Sequence, residues 1–541
     1  MNQPDKKATR RMDQEIEQLA DEYETDYKLG QDNVRWLGLD LHNPVFIVSA
    51  TLVLLFVVIS LIAPEQSNEI LTATRVWIGE RFDWLFLSAG NIFVLFCLLL
   101  IFLPVGKIRI GGDDATPDFS RMSWFAMLFA AGMGIGLMFW SVAEPVGYFT
   151  EWFGTPLDVG GGDANAALGA TMYHWGLHPW AIYGVVALAL AFFTYNKGLP
   201  LTIRSTFYPL LGDRVWGPIG HVIDTLAVLA TLFGLATSLG LGAQQAAGGL
   251  EFLFDIPATL ATQVVIIAAV TAIALVSVLR GIHGGVRLLS NLNMILAILL
   301  LFFVIIAGGL LAFLSNFGTT VAGYAQYMLP LSNPVGREDD VFYHSWTIFF
   351  WAWWISWSPF VGMFIARVSR GRTVREFLTA VLIVPVIVTT IWMSAFGGNG
   401  LGQVVDQVGA LAGGIGDSSL ALFQMLENLP FTEITSFLAI VLVLVFFITS
   451  SDSGSLVIDS ITSGGKTDAP TSQRVFWVII EGLIAAVLLG IGGAAALNAL
   501  QAGAVSTGLP FVFVLLLICV SLWKGLHHER RLDQLQDKNS G

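Results

Sequence analysis

Long apolar segments separated by short polar stretches run through the chain from residue 44 to residue 523. A helix needs about 20 apolar residues to cross a bilayer core about 30 Å thick. Twelve segments meet this requirement: 44–63, 83–105, 122–142, 166–193, 219–246, 258–279, 292–315, 344–366, 375–397, 433–459, 475–494 and 504–523. The pattern predicts an all-α polytopic membrane protein with 12 transmembrane helices.

Positively charged residues are distributed unevenly among the polar stretches. With the N-terminus placed in the cytoplasm, 24 of the 27 lysines and arginines lie on the cytoplasmic side, and the outside keeps Arg75, Arg81 and Arg337. Because Lys and Arg concentrate in cytoplasmic loops, the tails 1–43 and 524–541 are both predicted to be cytoplasmic. The stretch 143–165, which contains Glu144 and lacks Lys and Arg, is predicted to be an acidic outer loop.

Composition excludes several classes of protein. Hydrophobic residues make up 55% of the chain and charged residues 12%, with a mean hydropathy of +0.71. A soluble globular enzyme carries about a quarter charged residues, so that class is excluded. The net charge of −13 makes nucleic acid an unsuitable partner. Cys97 and Cys519 both lie in apolar runs and are expected to be free thiols.

Helix-breaking residues concentrate in two of the predicted spans. The third span contains Gly132, Gly134 and Gly136, and the eighth contains Pro359 and Gly362. These spans are five apart, which predicts two five-helix repeats of opposite topology, 122–315 and 344–523, preceded by two extra helices within 44–105. In inverted-repeat transporters, substrate and ion sites lie at such helix breaks.

Aromatic residues cluster within the fourth and eighth spans. On one continuous helix Trp175, Trp180 and Tyr183 would share a side, and in the eighth span Trp354 and Trp357 are three residues apart before Pro359. Converging ring faces hold a quaternary ammonium, with about 2 kcal/mol or more per desolvated contact. Backbone N–H groups around Met133 would suit a carboxylate. A betaine-like zwitterion would satisfy both ends.

Four stretches resemble the betaine/choline/carnitine transporter family and are most similar to its sodium-coupled betaine carriers. They are GMGIGLMFW (132–140), TMYHWGLHPWAIY (171–183), WAWWISWSPFVGMFIARVSRGRTVREF (351–377) and TSSDSGS (449–455). The resemblance covers essentially the whole chain. It implies a leucine-transporter-type fold in a bacterial inner membrane, assembly as a homotrimer, and no cofactor except sodium as the coupling ion.

The resemblance also implies a substrate box. Its members would be Trp175, Trp180, Tyr183 and Trp354, with Trp357 on the exit path towards the cytoplasm. Phe139 would flank the box on the outer side and Phe364 on the inner side.

The family's sodium sites map onto further residues. One site would use the carbonyl oxygens of Ala130, Met133 and Phe446 with the hydroxyls of Thr449 and Ser450. From the residues alone, those hydroxyls fit bonding back to the helix backbone better. For a second sodium site, Thr231 matches a ligand and Phe360 a neighbouring ring, whereas Leu235 stands where a second threonine is expected.

Other functions stay open at this point. Proton-coupled choline carriers of this kind tend to have an acid where this chain has Gly136, which favours sodium as the coupling ion. Carnitine exchangers tend to have a basic residue near the start of the seventh span, where this chain has Ser290, so an exchanger is disfavoured. Uptake of choline, carnitine, ectoine or a sulfonium analogue is an alternative to betaine uptake. A channel and a membrane-embedded enzyme acting on choline-type head groups belong to different classes; the enzyme would need a metal cluster or a nucleophile–base set.

Some titratable residues do not fit any of these sites. His174 and His178 have the spacing of a zinc-binding pair, but no third ligand is apparent and no transition-metal site is predicted. Asp452 and Glu481 lie inside predicted spans. We expect a structural role for Asp452, and Arg474 lies two turns before Glu481 as a candidate partner.

Overall fold

Nearly all of the described chain is helical. The computed structural model describes residues 6–36, 38–132, 134–280, 286–466 and 468–540. The elements of the first part are α1 (Lys6–Asp21), β1 (Asn33–Trp36), β2 (Leu39–His42), α2 (Val45–Ile62), α3 (Pro64–Phe102), α4 (Arg121–Gly132), α5 (Ile135–Phe149), α6 (Ala164–Trp175), α7 (Leu177–Tyr195), α8 (Tyr208–Leu211), α9 (Pro218–Phe254) and α10 (Leu260–Arg280).

The rest of the described chain continues the same pattern. Its helices are α11 (Val286–Ala307), α12 (Leu310–Leu331), α13 (Asp340–Phe342), α14 (Ile348–Val368), α15 (Val374–Val405), α16 (Ala421–Glu427), α17 (Thr432–Thr462), α18 (Thr471–Gly492) and α19 (Ala496–Ser540). A π-helical turn at Tyr343–Thr347 precedes α14. The two strands form an antiparallel hairpin that pairs Asn33 with His42.

Ten helical stretches in the described ranges are long and apolar enough to cross a membrane. One stretch runs through α18 and α19 together. The predicted third span coincides with α4 and α5, which have 12 and 15 residues and are each shorter than a full crossing. The expected all-α membrane architecture is thus confirmed in outline.

The predicted span 292–315 crosses a helix boundary. The helix α11 ends at Ala307, and α12 begins at Leu310 after Gly309, whose φ of +95° strongly favours glycine. Apolar residues continue across the turn, so hydropathy did not reveal it. The helix α12 packs along α6 and α15 and extends to Leu331, although the sequence predicts a loop after residue 315.

The predicted break at Pro359 does not occur. Proline removes the N–H that would bond to the carbonyl of Ile355, yet α14 continues through both residues. The Ser358 hydroxyl donates to that carbonyl at 2.7 Å. The serine therefore satisfies the freed acceptor, as polar side chains do for proline-containing membrane helices.

The two tails contact each other outside the membrane spans. The helix α1 lies in the N-terminal tail, and α19 extends beyond the predicted span to residue 540. Arg531 of α19 pairs with Glu15 of α1 at 2.5 Å. The hairpin is anchored by Asp40, which pairs with Lys466 at 2.6 Å.

Buried polar contacts hold α17 against α10 and α18. Arg474 of α18 pairs with Asp452 of α17, and the Ser277 hydroxyl of α10 donates to the same carboxylate at 2.6 Å. Glu481 instead accepts from the Ser451 hydroxyl at 2.9 Å. The sequence suggested Arg474 as the partner of Glu481, and this was wrong, because the guanidinium pairs with Asp452. The structural role expected for Asp452 agrees with these contacts.

Replacing Arg474 by alanine should destabilise the protein strongly. Removing one partner of a buried ion pair costs about 3–5 kcal/mol, because the remaining charge stays buried. Arg531→Ala is the matched control, since its exposed pair with Glu15 is worth about 0–1 kcal/mol. We expect a clearly lower midpoint of thermal unfolding in detergent for Arg474→Ala than for Arg531→Ala. Equal midpoints would contradict this account of α17.

Candidate substrate site

An interruption between α4 and α5 opens one side of the site. The helix α4 ends at Gly132 and α5 begins at Ile135, with Gly134 fully extended at φ −170° and ψ −176°. Met133, a predicted ligand, lies outside the described residues. The first N–H groups of a helix have no intrahelical acceptors, and no side chain of the described ranges caps the start of α5. Gly134, Gly136 and Leu137 line a cavity there.

The aromatic residues of the predicted box line that same cavity. It is bounded by Trp175, Trp180, Tyr183, Trp354 and Trp357. Ring centroids lie 4.8 Å apart for Trp175 and Trp354, and 6.3 Å for Tyr183 and Trp354. Trp180 meets Tyr183 edge-on at 5.5 Å. Apart from Trp357, which is partly buried, these side chains are at most 7% exposed, so their rings face protein rather than lipid.

The fourth span reaches the cavity in two pieces. The helix α6 ends at Trp175 and α7 begins at Leu177, with Gly176 between them at ψ −128°. The projection onto one continuous helix was therefore wrong. A Cβ at Gly176 would lie 2.5 Å from the Met172 carbonyl oxygen and 2.6 Å from the Tyr324 hydroxyl, so only glycine fits this close contact.

Three indole N–H groups around the cavity donate to acceptors in the protein. Trp175 Nε1 donates to Glu144 Oε2 at 2.7 Å, and Trp354 Nε1 donates to the His174 carbonyl oxygen at 2.9 Å. Trp353 also lines the cavity, and its Nε1 bonds to the Gly234 carbonyl and the Ser238 hydroxyl at 3.3 and 3.2 Å. By contrast, Trp357 Nε1 is buried without a partner among the described residues.

Sequence reasoning missed Glu144. It was assigned to the outer loop 143–165, but it lies within α5 and is fully buried. Its carboxylate also lies 2.6 Å from His174 Nδ1 and 3.1 Å from the Tyr148 hydroxyl. The available sign was that apolar residues continue on both sides of it, at Ala143 and Val146, as in a buried helix.

A larger cavity of about 550 Å³ adjoins the first. Ala131 and Trp357 line both. Four predicted sodium ligands and two neighbouring rings lie on its wall: Ala130, Phe446, Thr449, Ser450, Phe360 and Phe364. The Thr449 hydroxyl donates to the carbonyls of Val445 and Phe446 at 3.0 and 3.2 Å. These oxygen atoms therefore share a wide cavity instead of a compact coordination shell.

The remaining candidate residues lie elsewhere. Phe139 is not among the described residues that line either cavity, and its ring packs edge-on against Trp140 at 4.8 Å. Thr231 is fully buried and donates to the Ala227 carbonyl at 2.7 Å. Leu235 packs over Gly454, where a Cβ would lie 2.3 Å from it.

The two histidines do not act as a pair. His174 Nε2 lies 3.0 Å from the Thr347 hydroxyl, and His178 Nε2 lies 3.1 Å from Asn91 Oδ1. Each ring is thus held by a different hydrogen-bond partner. This arrangement agrees with ordinary buried histidines.

Many apolar helices around an enclosed aromatic cavity define a membrane transport protein. The chain belongs to the betaine/carnitine/choline family of transporters, whose family model matches residues 44–531. This confirms the family resemblance.

Individual relatives match over nearly the full chain. Glycine betaine transporter 1 of Vibrio parahaemolyticus is 63% identical over 94% of this chain and 98% of its own. A glycine betaine/proline/choline/ectoine transporter of the same species is 61% identical over 93% and 91%. The glycine betaine transporter OpuD of Bacillus subtilis is 45% identical over 87% and 91%. All are named as transporters, which confirms the expectation of transport rather than catalysis.

Among solved structures, a manganese transporter of Eremococcus coleocola is similar with a TM-score of 0.40 and 16% identity, covering 76% of this chain and 83% of its own. A likeness at this level carries no argument about function.

Adding a methyl group at Gly136 should disturb the aromatic wall. A Cβ there would lie 2.7 Å from Trp175 Cη2 and 2.8 Å from Trp353 Cη2, whereas no atom of the described residues lies within 4 Å of a Cβ at Gly134. Overpacking costs about 1–3 kcal/mol. We expect Gly136→Ala to lower the midpoint of thermal unfolding and Gly134→Ala to leave it unchanged. The reverse order would show that these rings do not pack against α5 as described.

Proposed function

We propose that this protein imports a betaine-like zwitterion by sodium symport. The observation that carries the proposal is the cavity in which Trp175, Trp180, Tyr183 and Trp354 surround one buried space beside an interrupted helix. Membership of the betaine/carnitine/choline family and the names of the relatives support this choice of substrate class.

The cavity wall suits a methylated cation. A quaternary ammonium has no N–H to donate, so ring faces are the groups that attract it. Because Trp175 and Trp354 spend their N–H groups on Glu144 and His174, they offer the cavity ring surface instead of donors. A primary ammonium would leave its hydrogen-bond donors unsatisfied there.

Donors for a carboxylate also line this cavity. The start of α5 provides uncapped backbone N–H groups and the positive end of the helix dipole. A zwitterion would place its carboxylate there, with its cationic end among the rings.

Sodium would bind between α4 and α17. The proposed ligands are the carbonyls of Ala130, Met133 and Phe446 and the hydroxyls of Thr449 and Ser450, all oxygen donors of the kind used by sodium-coupled carriers. Leu235 over Gly454 argues against a hydroxyl-rich second site near Thr231 and Phe360, so we propose one sodium ion per cycle.

The same proposal assigns an architecture. Two extra helices within 44–105 would precede inverted repeats at 122–315 and 344–523, giving twelve spans with cytoplasmic tails 1–43 and 524–541 in a bacterial inner membrane. Assembly as a homotrimer follows from the family resemblance. The larger cavity, lined by Phe364 near the end of α14 and Ser290 near the start of α11, would open to the cytoplasm as the exit path.

Transport assays in proteoliposomes would decide substrate and coupling ion. Glycine betaine, choline, proline, ectoine, carnitine and a sulfonium analogue should each be tested under a sodium gradient, a proton gradient and neither. The relative named for glycine betaine, proline, choline and ectoine makes these the closest competitors. Sodium-driven accumulation of glycine betaine supports the proposal, while accumulation driven by protons alone would overturn the sodium coupling.

Trp354→Ala should raise the KM for glycine betaine by at least about tenfold, because a desolvated cation–π contact is worth about 2 kcal/mol. Trp354→Phe keeps a ring, so its KM should lie between those of the unmodified protein and Trp354→Ala. Trp84→Ala is the control, since that indole is 55% exposed on α3. An unchanged KM for Trp354→Ala, at normal expression, would remove the aromatic box from the proposal.

Ser450→Ala should raise the sodium concentration needed for half-maximal uptake more than it raises the KM for substrate. The reason is that its hydroxyl is a proposed sodium ligand. Ser453 lies on the same cavity wall but is not a proposed ligand, so Ser453→Ala is the control. Its sodium titration should match that of the unmodified protein. If Ser450→Ala also leaves the sodium titration unchanged, the site between α4 and α17 is misplaced.

A further inference from the structure

Glu144 connects the helices that form the aromatic box. It lies on α5, and its carboxylate accepts from Trp175 Nε1 at 2.7 Å and lies 2.6 Å from His174 Nδ1, both on α6. The ring of His174 in turn lies 3.0 Å from Thr347, in the π-helical turn before α14, and its carbonyl accepts from Trp354 Nε1 of α14 at 2.9 Å. One buried hydrogen-bonded group therefore spans α5, α6 and α14.

We propose that Glu144 is a positioning residue for substrate binding, which it controls by fixing the indole of Trp175. This inference rests on the proposed function of the box. Glu144 does not line the cavity itself; it acts from behind Trp175. The box requires the length of the Glu144 side chain, which brings an acceptor to Trp175 Nε1, and does not require its charge.

The orientation of Trp175 leaves little freedom. Its ring meets Trp354 edge-on at 72° with centroids 4.8 Å apart, and its far edge closely approaches Gly136. Without the carboxylate, its N–H would be a buried donor with no acceptor. Turning the indole to find another acceptor would replace ring face by N–H edge in the cavity wall and weaken the attraction for a quaternary ammonium.

Two conservative variants separate reach from charge. Glu144→Asp keeps the acid but shortens the side chain by one methylene, so the 2.7 Å bond to Trp175 is lost. Glu144→Gln keeps the length, and its amide oxygen can accept from Trp175 while its NH₂ group faces His174 Nδ1. His174 can accept there, since its other nitrogen then carries the hydrogen and donates to Thr347.

The expected result is a difference in KM for glycine betaine, measured in proteoliposomes. Glu144→Asp should raise KM by at least about tenfold, because an indole that turns to find another acceptor loses its desolvated cation–π contact with the substrate. Glu144→Gln should stay within about threefold of the unmodified protein. Maximal rate and sodium titration should change little in either, because the bond fixes a substrate contact and not the ion site.

A double-mutant cycle tests whether the effect passes through Trp175. Trp175→Phe keeps a ring but has no N–H, so in that background Glu144→Asp should change KM by less than about twofold. Tyr148→Phe is the control: it removes a donor from the same carboxylate but leaves the bond to Trp175, and its KM should stay within about threefold.

The outcomes separate this inference from the proposed function. The inference is overturned if Glu144→Gln raises KM as much as Glu144→Asp does. It is also overturned if Glu144→Asp raises KM to the same extent in the Trp175→Phe background, where the indole N–H is absent. If Glu144→Asp yields no folded protein, Trp175→Phe probes the same bond from the other side, and an unchanged KM there overturns the inference. If Trp354→Ala also leaves KM unchanged, the aromatic box itself fails.

Discussion

A buried N–H group needs an acceptor to avoid a desolvation cost, and this requirement orients the indoles of Trp175 and Trp354 at the aromatic cavity. Trp175 and Trp354 turn their N–H groups outward, to Glu144 and to the carbonyl of His174. Their rings are left to face the cavity. A wall made mostly of ring faces is a poor environment for most polar solutes and a suitable one for a methylated cation. The chemistry of the site thus depends on polar groups that do not line it.

The same requirement decides where helices are interrupted. Pro359 leaves a carbonyl without its N–H, and the Ser358 hydroxyl satisfies it, so α14 stays continuous. At the start of α5 no side chain in the described part of the chain caps the helix, and the uncapped N–H groups lie beside the cavity. Backbone may leave the helix at membrane depth where a cavity can accept its polar groups. A helix-breaking residue therefore marks a site only when nothing nearby repairs the break.

Much of the fold and part of the candidate site could be predicted from the sequence. Hydropathy located the apolar segments because the bilayer fixes their length, and the family resemblance named Trp175, Trp180 and Trp354, which line one cavity. Hydropathy could not show that Gly176 divides the fourth span, because a single glycine is also common inside membrane helices. Glu144 was misplaced because a charge at the end of an apolar run normally marks a loop; only its partners on α6 explain its burial.

Neighbouring residues of α17 face in different directions, and this bears on how the two cavities are linked. Thr449 and Ser450 face the larger cavity, while Ser451 and Asp452 are held by α18 and α10. The polar part of α17 is thus anchored on one side and open on the other. For the proposed sodium site to close, α4 and α17 must approach each other. An ion bound by both helices would stabilise that approach by its differential affinity for the closed arrangement. Since Ala131 of α4 lines both cavities, the same movement would narrow the passage from the aromatic box to the larger cavity.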